Sequence, residues 1–326
     1  MRTTSSQAMV AAGIAVLLFT ACSSPEAPAP ALSATQTFDA AGVVGASHRH
    51  TTSPNAVSGI FRKIHPGPAE LAVSDFGTNS VEILNKSFQP VAAITQKIRS
   101  ADGIHYDAKG NLYVANSTGP FVTEYNPSRK LIFTYSAGLS AAVDVTVDAS
   151  GNVFVADFGP NVPSVVVEYA QRRKPPTATC STGLANDGIA VDPNGNVFVS
   201  GFDVNAHIGR LLEYRGGLAG CQAMTLAPTM ATAGGLQFDA HRNLLACDQD
   251  AGVDVIPRPY TVIARTIASL CFHEVLNKRQ NRLYIAEPNT NDVLVDTYPA
   301  GTTLEKLGSA NGLTEPGGVA AFPNAP

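Results

Sequence analysis

The sequence has 326 residues, 44% of them hydrophobic, which is enough to bury one large β domain or two smaller domains. Its formal net charge is −4 at pH 7, so it lacks the basic excess that binds a polyanion, and we expect no nucleic-acid partner. With 28 Gly, 22 Pro, 15% charged residues and no Trp, the composition is typical of a turn-rich β protein.

The first 21 residues have the pattern of an export signal. An apolar run from Met9 to Ala21 is too short to span a bilayer but has the length of a signal-peptide core. Ala21 and Cys22 resemble the end of a bacterial lipobox, which implies signal peptidase cleavage before Cys22 and acylation of its sulfur. The alternative is ordinary secretory cleavage that leaves Cys22 as a free cysteine.

Residues 22–66 are rich in Ala, Pro, Ser and Thr, and such a segment cannot bury enough surface to offset its chain entropy. We therefore expect a disordered tether between the lipidated Cys22 and a folded domain at residues 67–326. Ser23 resembles the residue that follows the lipidated cysteine in outer-membrane lipoproteins. The resemblance implies a cell-envelope protein, anchored to the outer membrane and facing the periplasm or the exterior.

An apolar hexamer recurs six times after the tether, with starts 41, 41, 44, 47 and 39 residues apart. Short apolar stretches lie before and after the copies, as in GIAVD (188–192) and LLEY (211–214). Several strands in a repeat of about 40 residues are the signature of a β-propeller. The copies are LAVSDF (71–76), LYVANS (112–117), VFVADF (153–158), VFVSGF (197–202), LLACDQ (244–249) and LYIAEP (283–288).

The two ends of the repeat are complementary. The first hexamer lacks a clear strand before it, whereas the final stretch EPGGVAAFP (315–323) matches that strand but has no hexamer after it. We therefore predict an all-β, six-bladed β-propeller with four-stranded antiparallel blades, in which the C-terminal strand completes the first blade. Residues 68–323 divide into about 43 residues per blade, an ordinary blade size.

Turns between the first two strands of a unit read DAKGN, DASGN and DPNGN. The Asp carboxylate can accept backbone N–H groups, and Gly supplies a positive φ. Arg242 and Gln280 replace this glycine in the last two units, which predicts altered turns there. Three units also contain a Glu-Tyr pair, and we expect Glu124, Glu168 and Glu213 to be exposed.

The unit GIAVDPNGNVFVSGF (188–202) resembles the NHL repeat, whose consensus runs Gly-Ile-Ala-Val-Asp, a turn, Gly-Asn and a strand that ends Val-Ala-Asp. The resemblance covers about residues 68–323 and implies the propeller fold. Because propellers host unrelated functions, it implies no particular activity.

Ligands of propellers usually meet the axial channel, which the first strand of each blade lines. The channel column is therefore the residue before the glycine of that strand, namely Asp102, Val143, Asp187, Gly234, Phe272 and Gly317. Neighbouring polar candidates are Asn186, Asp144, His105, His273 and Glu274. We take Asp102, Asp187, Asn186, Asp144 and His273 as the candidate channel or metal residues.

Two enzyme families of propellers offer a comparison for this column. The Asp-Gly strands at Asp102 and Asp187 resemble a cation-binding strand of gluconolactonase and paraoxonase-like enzymes, which implies Ca²⁺ and a lactone or ester hydrolase. Virginiamycin B lyase-like propellers use histidines and a glutamate near Mg²⁺. Calcium takes six to eight oxygens, and four positions of the column supply no side-chain oxygen, so we assign no cofactor.

A second polar column ends the hexamers, and a ring of such groups resembles a metal site. It contains Asp75, Asn116, Asp157, Gly201, Asp248 and Glu287. Because the position follows a strand in every copy, we expect these side chains to accept backbone N–H bonds at the turn instead.

Four cysteines besides Cys22 lie in the domain, an even number that suits an oxidising compartment. Cys180, Cys221, Cys247 and Cys271 allow three pairings, and the sequence does not choose between them. Cys247 occupies a small-residue position of the hexamer, so it can equally serve as a small buried residue.

The leading prediction is a monomeric, membrane-anchored, extracytoplasmic propeller that binds an envelope protein, a glycan or a small molecule. The alternative is a divalent-metal-dependent hydrolase of the lactonase type, or a streptogramin-lyase-like enzyme, that uses the axial channel. A purely structural envelope protein is the third hypothesis.

Overall fold

A computed structural model of the chain describes residues 70–159, 163–267 and 270–322. It also describes the backbone of two strands in the predicted tether, Gln36–Phe38 (β1) and Val44–Ala46 (β2), which pair antiparallel. Cys22 and the export signal lie outside the described residues, as does the rest of the tether. In the part of the chain that is described, no helix is long and apolar enough to cross a membrane.

The described domain is built from six four-stranded antiparallel sheets, so the predicted six-bladed propeller is confirmed. Blades 1 to 3 use Leu71–Asp75 (β3), Ser80–Leu84 (β4), Pro90–Ile94 (β5), Ala101–Tyr106 (β6), Leu112–Asn116 (β7), Phe121–Tyr125 (β8), Leu131–Tyr135 (β9), Ala142–Val147 (β10), Val153–Asp157 (β11), Val165–Tyr169 (β12) and Ala178–Ser181 (β13). Blades 4 to 6 use Ala185–Val191 (β14), Val197–Asp203 (β15), Ile208–Tyr214 (β16), Ala223–Met230 (β17), Ala233–Phe238 (β18), Leu244–Asp248 (β19), Gly252–Ile256 (β20), Arg265–Ile267 (β21), His273–Leu276 (β22), Arg282–Glu287 (β23), Asp292–Thr297 (β24) and Thr303–Leu307 (β25). The chain then forms a short 3-10 helix, Ser309–Asn311, and the strand Pro316–Ala321 (β26).

The C-terminal strand closes the ring, as predicted. β26 pairs antiparallel with β3, in the order β26-β3-β4-β5, and this sheet is blade 1. Blades 2 to 6 each take the next four strands in sequence, with the first strand innermost. Backbone hydrogen bonds from Phe76 to Glu315 and from Phe322 to Glu70 extend the pairing at both ends of β26.

The apolar core lies between neighbouring blades. One cluster contains Ala156 and Val166 from blade 3 with Val199 and Leu212 from blade 4, all of them buried. A propeller sheet is thus covered on both faces by its neighbours, which explains why its strands are apolar on nearly every residue.

The Asp-Gly-Asn turns form as predicted. Asp107 accepts bonds from the backbone N–H groups of Lys109 and Asn111, and Gly110 has a φ of 80°. The expected alteration in blade 5 is wrong, because Arg242 adopts the same left-handed conformation with a φ of 64°. Asp239 accepts from the N–H and the side-chain amide of Asn243, and these bonds offset the strain at Arg242.

Adjacent inner strands approach closely at glycine. A Cβ added at Gly318 of β26 would lie 2.5 Å from the carbonyl oxygen of Asp102 in blade 2. At the same junction the Ser74 hydroxyl accepts from the Gly318 N–H at 2.6 Å and donates to Asp102 O at 2.6 Å. Ser200 makes the same bridge from Gly188 to Gly234, which joins blade 4 to blade 5.

The glutamates of the Glu-Tyr pairs are not exposed as expected. Glu124 is 0% exposed and forms an ion pair with Arg172 of blade 3 at 2.9 Å, and Glu213 is also buried. The tyrosine of the pair is buried too, and Tyr125 donates to the carbonyl oxygen of Gln96. Glu124 and Tyr125 thus contact residues of neighbouring blades, which is why they are buried instead of exposed to solvent.

Two disulfides answer the question that the sequence left open. Cys180 of β13 bonds to Cys221, in the loop before β17, and joins blade 3 to blade 4. Cys247 of β19 bonds to Cys271, just before β22, and joins blade 5 to blade 6. Each disulfide therefore links adjacent blades.

Candidate functional site

The inner strands place most of the predicted channel column around one pocket. Its empty volume is about 180 Å³, and its lining comprises Asp102, Val143, Asp187, Gly234, Gly235, Phe272 and His273. At the sixth column position, Gly317, an added Cβ would lie 2.5 Å from the Phe76 ring. Phe76 packs edge-on against Phe272, with ring centroids 6.2 Å apart, so aromatic side chains occupy this side of the channel.

Two candidate residues meet across the channel. Asp144 belongs to blade 3 and His273 to blade 6, which stand on opposite sides of a six-bladed ring. The His273 Nε2 atom lies 3.2 Å from Asp144 Oδ1, and both side chains are buried. Asp144 also accepts from the backbone N–H groups of Val145 and Ile189, which fix its carboxylate. The channel is therefore closed by side chains at this level.

Further titratable groups surround this contact. Burial raises the pKa of Glu274 well above its ordinary value, and the nearby Asp144 carboxylate raises it further. Burial lowers the pKa of His105, although Asp144 and Asp107 oppose that shift. Both directions favour the neutral form, as expected for ionisable groups that are removed from water.

Asn186, another candidate, is used by the fold. Its amide nitrogen donates to the carbonyl oxygens of Asp157 and Val165 in blade 3, and its oxygen accepts from Thr182 Oγ1. Asn186 is not among the residues that line the pocket. The structure thus brings Asp102, Asp187 and His273 to one pocket, with Asp144 in contact with His273.

Sequence reasoning missed a buried cluster beside the channel. Among the described His, Cys, Asp and Glu residues, Cys247, Cys271 and Glu274 bring one ligand atom each within 4.8 Å of one another. The signal was the stretch CFHE at 271–274, where three donor side chains stand within four residues. This stretch becomes a cluster only together with Cys247, which lies 24 residues before Cys271 in the sequence.

The second polar column is structural, as expected. Asp157 accepts from the backbone N–H groups of Ser140 and Ala141, which precede the inner strand of the same blade. Asp75 does the same for Thr314 and Asp248 for Ala231. These carboxylates attach the loop before the inner strand to the end of the second strand, so they form no ring of metal ligands.

Comparison with known proteins supports the fold and no more. No protein-family profile matches the sequence, and no curated protein matches it. A chain of a nidogen/laminin complex is 15% identical, with a TM-score of 0.64 over 79% of this chain and 100% of that chain. A protein of unknown function from Bacteroides caccae is 14% identical, with a TM-score of 0.63 over 78% and 99%.

A virginiamycin B lyase from Staphylococcus aureus is more distantly similar, at 14% identity and a TM-score of 0.47 over 64% of this chain and 69% of that chain. We draw nothing about activity from a likeness at this level. The neighbours and the topology together define this chain as a six-bladed β-propeller. Its chemistry has to be argued from its own site.

Asp157, which ends the third hexamer, predicts a pH effect on stability. Burial raises the pKa of Asp157 to about 6, whereas an unfolded Asp titrates near pKa ~3.9. Between these values the folded chain holds a proton that the unfolded chain has lost, so the free energy of unfolding falls as pH rises, by up to about 3 kcal/mol. Asp157→Asn keeps an acceptor at this position, as Asn116 does in blade 2, and should flatten that slope in urea unfolding.

Asn116→Ala serves as the control. It removes the corresponding acceptor of blade 2, which the backbone N–H of Arg99 uses, but no titratable group, so it should lower the free energy of unfolding without changing the slope. Equal slopes in the wild type and in Asp157→Asn would contradict the assignment.

Proposed function

We propose that this protein is a lipid-anchored, NHL-like propeller of the bacterial cell envelope that binds a partner protein through its outer surface. The observation that carries the proposal is the closed channel, where Asp144 and His273 stand 3.2 Å apart. The pocket beside them has an empty volume of about 180 Å³ even when space open to solvent is included, whereas small-molecule sites usually occupy about 300–1,000 Å³. A substrate of ordinary size has no room in this pocket, which favours a partner that binds the outer surface.

Exposed apolar side chains support a binding surface on one side of the ring. Among the described residues, the exposed large hydrophobic side chains all fall in the outer parts of blades 4 to 6. We call them the rim patch: Met224, Val262, Ile263, Leu270 and Leu304. Val262 and Ile263 are adjacent in one loop of blade 5, and neighbouring exposed apolar side chains are candidates for an interaction site.

The outer elements of blades 5 and 6 adjoin one another. A Cβ at Gly301, before β25, would lie 2.7 Å from the Ile267 side chain of β21. The Arg265 guanidinium also lies over the Tyr298 ring, 5.6 Å from its centroid. A neighbouring structure of the same fold comes from a nidogen/laminin complex, which supports a protein as the occupant.

Photo-crosslinking tests this surface directly. A photoreactive amino acid at Val262 in the full-length chain, expressed in its own cells, should yield a discrete protein adduct because this side chain is exposed within the rim patch. The matched control places the same group at Ser128, which is exposed in the corresponding loop of blade 2. Identical adducts at both positions, or no adduct at Val262, would overturn the proposed surface.

The anchor is tested separately. We expect the wild-type chain to incorporate palmitate and to sediment with membranes, because acylation at Cys22 gives it a hydrophobic anchor. Cys22→Ser should abolish both, whereas Ser23→Ala should retain both. Retention of Cys22→Ser in the membrane fraction would rule out anchoring through this cysteine.

One observation favours a second candidate function, a divalent-metal-dependent hydrolase. Asp102 of blade 2 and Asp187 of blade 4 line the same pocket, and carboxylates are the ligands that Ca²⁺ prefers.

Calcium titration by calorimetry and thermal unfolding separates the two candidate functions. The hydrolase requires stoichiometric Ca²⁺ binding that raises Tm and is lost in the Asp102→Asn and Asp187→Asn double variant. The binding scaffold predicts neither Ca²⁺-dependent stabilisation nor lactone hydrolysis. Calcium-dependent lactone turnover by the wild type would therefore replace the scaffold with the hydrolase.

A further inference from the structure

Two sulfur atoms and a carboxylate meet at the junction of blades 5 and 6. Cys247 lies in β19 of blade 5, while Cys271 and Glu274 belong to blade 6. The Cys247 Sγ lies 2.7 Å from Glu274 Oε2, and the Cys271 Sγ lies 4.0 Å from the same oxygen. All three side chains are at most 3% exposed. A disulfide sulfur carries no proton, so it cannot donate a hydrogen bond to this carboxylate oxygen.

His273 stands beside this cluster. A Cβ added at Gly235 would lie 2.9 Å from His273 Nδ1 and 3.0 Å from Glu274 Oε2, which is too close for any side chain at this position. Glycine at position 235 therefore lets the His273 and Glu274 side chains approach the backbone of β18.

One oxygen of the Glu274 carboxylate lacks a hydrogen-bond partner in the described part of the chain. Among the described residues, no group donates to the buried Oε1 atom. A buried polar atom left unsatisfied is destabilising, so this one calls for an explanation. A bound cation would satisfy the carboxylate and compensate its charge.

We propose that Cys247, Cys271 and Glu274 form a site for a thiophilic divalent cation, of which Zn²⁺ is the type, in the reduced protein. Two thiolates and a carboxylate are ligands that Zn²⁺ accepts, and water can occupy the fourth position of a tetrahedral site. The Cα atoms of the two cysteines are 5.2 Å apart, so both sulfurs lie at the same junction between blades. The inference goes beyond the proposed binding function and does not depend on it.

The disulfide and the cation are alternatives at this junction. A dithiol reductant attacks the Cys247–Cys271 bond, supplies two electrons and two protons, and itself becomes a disulfide. The two cysteines are then thiols, and each releases its proton to solvent when it binds the cation. Either state joins blade 5 to blade 6, through a covalent bond in one case and through the cation in the other.

Cobalt titration tests the proposal in the full-length chain that carries Cys22→Ser. The protein is reduced without oxygen, and Co²⁺ is added as a spectroscopic probe for Zn²⁺. We expect one Co²⁺ per chain, with thiolate-to-cobalt charge-transfer absorption and the visible bands of tetrahedral Co²⁺, all removed by excess Zn²⁺. The oxidised protein should show no thiolate band, and Zn²⁺ should raise Tm only after reduction.

Variants locate the site. Cys271→Ser should abolish the thiolate band, while the Cys180→Ser and Cys221→Ser double variant should keep it. Glu274→Gln retains both cysteines and should weaken Co²⁺ binding, because it removes the carboxylate ligand. If reduction unfolds the chain, Zn²⁺ or Co²⁺ should restore the folded signal.

Three results would contradict the proposed cation site. The first is a reduced wild-type chain that is folded but shows no thiolate-to-cobalt band. The second is a band that depends on Cys180 and Cys221, and the third is an unfolded reduced chain that neither Zn²⁺ nor Co²⁺ refolds.

Discussion

The antiparallel pairing of β26 with β3 is the constraint on which the rest of the propeller depends, because it joins the two ends of the repeat into a closed ring. Closure also fixes the inner strands relative to one another. Ser74 of β3 accepts from Gly318 of β26 and donates to the carbonyl oxygen of Asp102 in blade 2. The strand that closes the ring is thus bonded, through one hydroxyl, to the strand that carries a pocket carboxylate.

The close approach of the inner strands determines the electrostatics of the channel. Glycine at positions such as Gly318 lets neighbouring backbones come together, and the narrow channel that results removes its side chains from water. Asp144 and His273 then meet across the ring, and the pKa of Glu274 rises in the same surroundings. Gly235 likewise lets the His273 and Glu274 side chains approach the backbone of β18. The same close packing of the inner strands thus closes the channel and buries Glu274.

The repeat, the ring closure and the channel column could be predicted from the sequence because they depend on patterns within one unit or on its spacing. Contacts between units could not be predicted, because they join residues that are far apart in the sequence. Glu124 was expected in solvent, yet its partner Arg172 stands 48 residues later in the next blade. Arg242 keeps the turn that the missing glycine seemed to change, because the Asp239 carboxylate supplies bonds that no propensity includes. The disulfide partners likewise come from adjacent blades.

The junctions between blades differ although the blades repeat. Ser200 bridges blades 4 and 5 with a hydroxyl, whereas the corresponding residue of blade 5 is Cys247, which bonds to blade 6. That same junction carries the contact of Tyr298 with Asp239. A position that repeats in every blade maintains the fold, so the positions where the copies diverge are free to take another role. The junction of blades 5 and 6 combines several of these departures, and the proposed cation site lies there.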